Sequence, residues 1–175
     1  MLSAFVSQSQ GLARFEMRPD AAIPAEAIWL DLLEPTPSEE KRIESFLSID
    51  VPTRDEMREI EASNRLYEED GTLYMTATVV TKLDSDLPES TQITFILSAG
   101  KLVTNRYVDP LPFRRFIAYA ERHPASCNSP PAVLAGLVES IVNRVADVIE
   151  RVAIDLDAAS AEVFSVSRRH RAGSE

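Results

Sequence analysis

The chain has 175 residues, 45% of them hydrophobic and 26% charged, enough to bury one substantial core with little left for a second. Its net charge of −10 repels nucleic acid and anionic lipid headgroups while drawing in cations, which argues against a nucleic-acid-binding role. The one cysteine, Cys127, excludes an intramolecular disulfide, and five glycines leave little material for a Gly-rich phosphate loop.

Met1 to Val6 and Leu12 to Met17 are apolar-bearing runs joined by Ser7-Gln8-Ser9-Gln10-Gly11, the pattern of an opening strand pair. They contain no continuous apolar core of the kind a secretory signal needs, and no stretch of about 18 apolar residues follows anywhere. Ile28 to Leu33 reads as a buried strand stopped by Pro35 and Pro37. Thr36 or Ser38 then caps a helix with Glu39 and Glu40 in its first turn and an apolar face of Ile43, Phe46 and Leu47. Thr53 caps a second, shorter and strongly acidic helix that runs to Ile60.

Glu68-Glu69-Asp70-Gly71 carries a turn signal, after which Thr72 to Val80 is expected to be a long central strand. A polar gap from Lys82 to Ser90 leads to a hairpin of Thr91 to Leu97 and Leu102 to Tyr107. Phe113, Phe116 and Ile117 mark a helix, and His123 to Pro130 a loop. From Pro131 to about Ser167 one long helix is predicted, with Leu134, Leu137, Val138, Ile141, Val145, Val148, Ile149, Val152 and Leu156 at helical spacing. It is still patterned at Val163 and Phe164 and runs into Arg168-Arg169-His170-Arg171 without a stop, which suggests a piece of a longer protein.

No catalytic constellation emerges. A Gly-x-Ser-x-Gly turn is missing, His123 and Cys127 are interrupted by Pro124, and His170 is remote. Trp29 reads as a packing anchor. On the acidic helix, Asp55 and Glu59 share a face and Glu56 approaches Glu59, while Arg54 and Arg58 partly offset them. Carboxylates of this kind suit a hard cation held through its water, although a charge run taken alone is more simply a solvated surface.

The order of the segments resembles the amino-terminal domain of CorA-type magnesium transporters. The residues that carry the likeness are Ile28-Trp29-Leu30-Asp31-Leu32 with Pro35-Thr36, Glu56 and Glu59-Ile60-Glu61-Ala62-Ser63 with Arg65, and Leu73-Tyr74-Met75. Thr94-Phe95-Ile96-Leu97, Leu102-Val103-Thr104-Asn105-Arg106, Pro112-Phe113 and Leu137 to Asp147 continue it in the same order. The resemblance implies an α/β fold, an α/β/α layered sandwich around a mixed sheet in residues 1–130, followed at 131–175 by the start of a long stalk helix packed on the same domain. It further implies a homopentamer on the cytoplasmic face of the inner membrane, joined to the bilayer only through two carboxy-terminal helices and a Gly-Met-Asn motif that this sequence does not contain.

By the same likeness the domain is not an enzyme but a regulatory, metal-sensing gate. Mg2+, weakly bound between neighbouring subunits, is its expected ion, with Co2+ or Zn2+ as alternatives. Asp55, Glu56 and Glu59 match one side of that site, and Asp155 and Asp157 match helix carboxylates of the same region. Two other readings stand beside this one, a zinc-transporting relative with the same domain and a freestanding module whose helix pairs with a partner.

Overall fold

The computed structural model describes residues 1–82 and 88–172, without the side chains of residue 62 and residues 163–172. The part of the expected polar gap at 83–87 and the side-chain expectations at Val163, Phe164 and Arg168 to Arg171 lie outside the described residues. The described chain forms two compact units, Met1–Ile141 and Val142–Glu175.

The first unit is built on a seven-stranded mixed sheet. Its strands are β1 (Leu2–Gln8), β2 (Gly11–Glu16), β3 (Ala27–Leu33), β4 (Leu66–Glu69), β5 (Thr72–Thr81), β6 (Glu89–Ser98) and β7 (Lys101–Arg106), in the spatial order β2-β1-β3-β7-β6-β5-β4. Every neighbouring pair is antiparallel except β3 with β7, which run parallel with Trp29 opposite Leu102 and Asp31 opposite Thr104. The β6–β7 turn places Ala99 and Gly100 at φ 47° and 69°, the left-handed pair that a two-residue hairpin requires.

Helices cover both faces and give the α/β/α layers. One face carries α1 (Pro37–Leu47) and α2 (Arg54–Glu59), and the other carries α3 (Leu111–Ala120) and the start of α4 (Pro130–Ala172). On the α3 face, Phe5 stacks on Trp29 at 4.0 Å, and Phe116 meets the indole edge-on at 6.0 Å. Trp29 is fully buried, as expected of a packing anchor. Val133 and Leu137 of α4 close this core, and Gly136 lets the helix approach so near that an added Cβ would stand 2.3 Å from the Phe116 ring. On the α1 face, Leu30, Leu32, Ile96 and Val103 pack against Ile43.

A fully buried ionic centre joins the one parallel pair. Arg106 donates through Nε and Nη2 to the two oxygens of Asp31 at 2.9 and 2.8 Å, and Thr104 donates to Asp31 Oδ1 at 2.6 Å. The Trp29 indole N–H donates to Thr104 Oγ1 at 3.0 Å. Arg106 Nη1 reaches on to the Val108 carbonyl and the Asp109 carboxylate, both at 2.8 Å, and its guanidinium lies 4.7 Å from the Phe113 ring centre. Burial alone would lower the Arg106 pKa, but the carboxylates of Asp31 and Asp109 outweigh it and hold the guanidinium above its usual value.

Three expectations need correction. Thr72 to Thr81 is a long strand, but it stands next to the sheet edge and β7 holds the centre. Glu68 and Glu69 belong to β4, whose four residues are all exposed, and only Asp70 and Gly71 turn the chain. Phe46 is 39% exposed, and Ile43 is the residue that α1 buries.

In the second unit, α4 continues as a helix with Val142, Val145, Ile149, Val152 and Leu156 exposed at alternating spacings of three and four. Among the described residues no helix is long and apolar enough to cross a membrane.

Removing Asp31 leaves the Nε and Nη2 donors of Arg106 buried and unpaired, with only Nη1 still held by Val108 and Asp109. Asp31→Ala is therefore expected to cost about 3–5 kcal/mol in urea unfolding, and Asp31→Leu combined with Arg106→Met markedly less. A cost for the single change below about 1 kcal/mol would show that the pair does not tie β3 to β7. Gly136→Ala adds helix propensity worth about 1 kcal/mol but overpacks the Phe116 ring at about 1–3 kcal/mol, so a lower urea midpoint is expected.

Candidate functional site

The acidic helix is α2, and six residues are too few to be stable alone. Its start is fixed by a capping box. Thr53 N and Oγ1 donate to Glu56 Oε2 at 2.8 and 2.7 Å, and Glu56 N donates back to Thr53 Oγ1 at 3.4 Å. The Thr53 amide and then its hydroxyl hold the Glu56 carboxyl below the usual carboxylate range. Met57, 2% exposed, plugs the helix onto the sheet. Asn105 of β7 donates through Nδ2 to the Pro52 carbonyl at 2.8 Å and lies 3.7 Å from Met57 Sδ, so the strand that carries Arg106 on one face holds α2 on the other.

A helical rotation of about 100° per residue then sorts the charges of α2 around Met57. Asp55 and Glu59 point away from the sheet, Glu56 and Ile60 take one flank, and Arg54 and Arg58 take the opposite flank. All five charged residues are exposed. On the Glu56 flank lies a cavity of about 490 Å³ whose lining includes the carboxylates of Asp50, Glu56 and Glu69 and the phenols of Tyr67 and Tyr74. The two rings stack at 4.7 Å, and Tyr74 Oη accepts the Asp50 amide at 3.3 Å. Burial first, and then the neighbouring Tyr74, Glu69, Asp50 and Glu56, push the Tyr67 phenol up. On the Arg flank lies a smaller cavity of about 230 Å³, lined by Arg54, Arg58 and Tyr107 together with Ser90, Thr91 and Gln92 of β6. Burial and the Glu40 carboxylate, which accepts the Tyr107 hydroxyl at 2.9 Å, push that phenol up to about 12.

The expected metal residues thus divide between the units. Asp55, Glu56 and Glu59 stand on α2 in the first, while Asp155 and Asp157 are exposed on α4 in the second. Among the described residues no three His, Cys, Asp or Glu side chains gather closely enough to hold a metal ion. Exposed carboxylates one helical turn apart fit a dication that keeps most of its water, and are too few to replace its shell. His123 stacks on Tyr119 at 3.9 Å, and Cys127 is buried with its thiol pushed up by burial.

Reading the sequence missed three features of the site. The Asp31–Arg106 centre was signalled only by lone charges within apolar strand runs. The clamp from Asn105 had no local signal. The placing of Arg54 and Arg58 on a flank of their own follows from the helical period and goes beyond partial compensation for the acids.

A family model described as CorA-like Mg2+ transporter protein matches residues 24–174. The magnesium transport protein CorA of Escherichia coli is 30% identical over 157 residues, 90% of this chain and 49% of the relative. That of Salmonella typhimurium is 29% identical over the same extent. The chain spans about half the length of these relatives. Among solved structures, the soluble domain of CorA from Methanocaldococcus jannaschii shares the fold with a TM-score of 0.70 at 10% identity, over 94% of this chain and 65% of that one. The full-length CmaX protein does so with a TM-score of 0.68 at 15% identity, over 90% of this chain and 50% of that one.

Thr53→Ala removes the cap of α2 and is expected to cost about 1 kcal/mol at neutral pH by urea unfolding. Because the folded-state pKa of Glu56 lies below its ordinary 4.5, the carboxylate's contribution is complete above that value and is lost as pH falls through the depressed one. The gap between variant and parent should therefore narrow on acidification. A gap independent of pH would show that the Glu56 carboxylate takes no part in the cap.

Proposed function

Since the chain belongs to the CorA-like Mg2+ transporter family, we propose that it is the cytoplasmic, metal-sensing gating domain of a magnesium or cobalt transporter. The observation that carries this reading is the outward face of α2, where Asp55 and Glu59 stand one turn apart, exposed, and without a hydrogen bond or ion pair among the described residues. A hydrated Mg2+ bridging this face to carboxylates of a second copy, Asp155 and Asp157 being the candidates, neutralises charges that otherwise repel. The ion's preference for the closed arrangement then shifts a two-state gate. The family is one of ion transporters and not of enzymes.

The exposed apolar row of α4 supports self-association, since Val142, Val145, Ile149, Val152 and Leu156 follow the three-four spacing of a helix seam. In the whole protein this chain is one protomer of a homopentamer whose further segments cross the inner membrane, with residues 1–130 as the α/β head and 131–175 as the start of the stalk.

Millimolar Mg2+ is expected to raise the melting temperature and the solution mass of the chain, measured by calorimetry and light scattering. Asp55→Asn with Glu59→Gln should abolish both responses, and Glu56→Gln should keep the cap while weakening them. Indifference of the parent chain to Mg2+ at all protein concentrations would overturn the sensing role.

A further inference from the structure

We infer that the basic flank of α2 is a binding site for a phosphate group, either inorganic phosphate or a small phosphomonoester. The inference rests on the folded first unit and not on the transport reading.

The first support is the state of the two guanidiniums. Neither Arg54 nor Arg58 makes an ion pair or side-chain hydrogen bond among the described residues, and the Arg54 guanidinium lies over the Tyr107 ring, 5.5 Å from its centre. A cation resting on a ring face keeps its in-plane N–H donors free. In a chain of net charge −10, acids are abundant, yet those of α2 lie on its other two sides. Four residues apart on one helix, the two forks are neighbours and converge on one small volume.

The second support is what shares that volume. Ser90 and Gln92 of β6, on the strand face that carries Thr94 and Ile96 toward α1 and α2, add side-chain donors, while Thr91 lines the cavity from a strand position of the opposite face. The one carboxylate in the lining, Glu89, lies 2.7 Å from Lys82 Nζ and is already matched by a cation. The result is a donor-rich cavity opposite in character to the acidic one across Met57. Planar guanidiniums bind tetrahedral oxyanions through paired, charge-assisted hydrogen bonds. At about 230 Å³ the cavity has room for a phosphate group.

The test is an amide NMR titration of the full chain with sodium phosphate and with glycerol 3-phosphate, at ionic strength held constant by chloride. Saturable shifts are expected at residues 54–58, 90–92, 107 and 108, absent in chloride alone. Arg54→Gln with Arg58→Gln should weaken binding about tenfold or more while the chain stays folded, its melting temperature lowered by only a few degrees through the lost ring contact and charge compensation. Vesicles containing phosphatidic acid separate the sources. If they recruit the parent chain and not the double variant, the phosphate is a lipid headgroup. If only free phosphates compete for the site, it is a soluble ligand. Unchanged affinity in the double variant, or shifts scattered over every basic residue, would overturn the assignment.

Discussion

A carboxylate and a guanidinium taken out of water together hold the one parallel strand pair of this sheet. Four of the five antiparallel pairs join strands consecutive in the chain, and β1 with β3 are separated only by β2, whereas β3 and β7 come from distant parts of the chain and have no turn to set their register. The bidentate Asp31–Arg106 pair, braced by Thr104 and the Trp29 indole, admits one register only. A slip of one residue in either strand would put the two charges on opposite faces of the sheet, with neither able to reach the other. Such a pair adds little net stability over an apolar pair of the same shape.

Strand β7 carries that register to the site. Thr104 and Arg106 face the ionic centre, while Asn105 between them faces the other way and grips the chain on either side of the Thr53 cap. A six-residue helix thereby takes a defined rotation about Met57. That rotation makes three electrically distinct surfaces from one acidic-looking stretch. An outward carboxylate pair, a carboxylate flank above stacked tyrosines and a guanidinium flank beside hydroxyls coexist within two helical turns. The proposed readings assign a hydrated cation to the outward pair and a phosphate group to the basic flank of the same helix.

Much of the architecture was legible because local chemistry and tertiary structure agree. Thr53 caps α2 as expected, Thr36 rather than Ser38 caps α1, and Ile28 to Leu33 and Leu102 to Arg106 are strands as their apolar runs indicate. Strand β4 was not legible, since Leu66 to Glu69 is an edge strand with every side chain exposed and no buried face to impose a pattern. Nor was the place of β5, because sheet order depends on the β3–β7 contact far along the chain. In the site, the period of α2 showed the shared face of Asp55 and Glu59. The Asn105 clamp and the cavities on either side of Met57 arise from residues separated by dozens of positions and could not be read locally.

The most direct test of this account is side-chain hydrogen exchange at Arg106 Nε–H and at the Trp29 indole N–H, followed beside the amides of β3 and β7. If the buried ionic centre organises the sheet, both side-chain protons exchange as slowly as the best-protected strand amides, opening only with the whole unit. Rapid exchange of the Arg106 proton while the strand amides remain protected would contradict it.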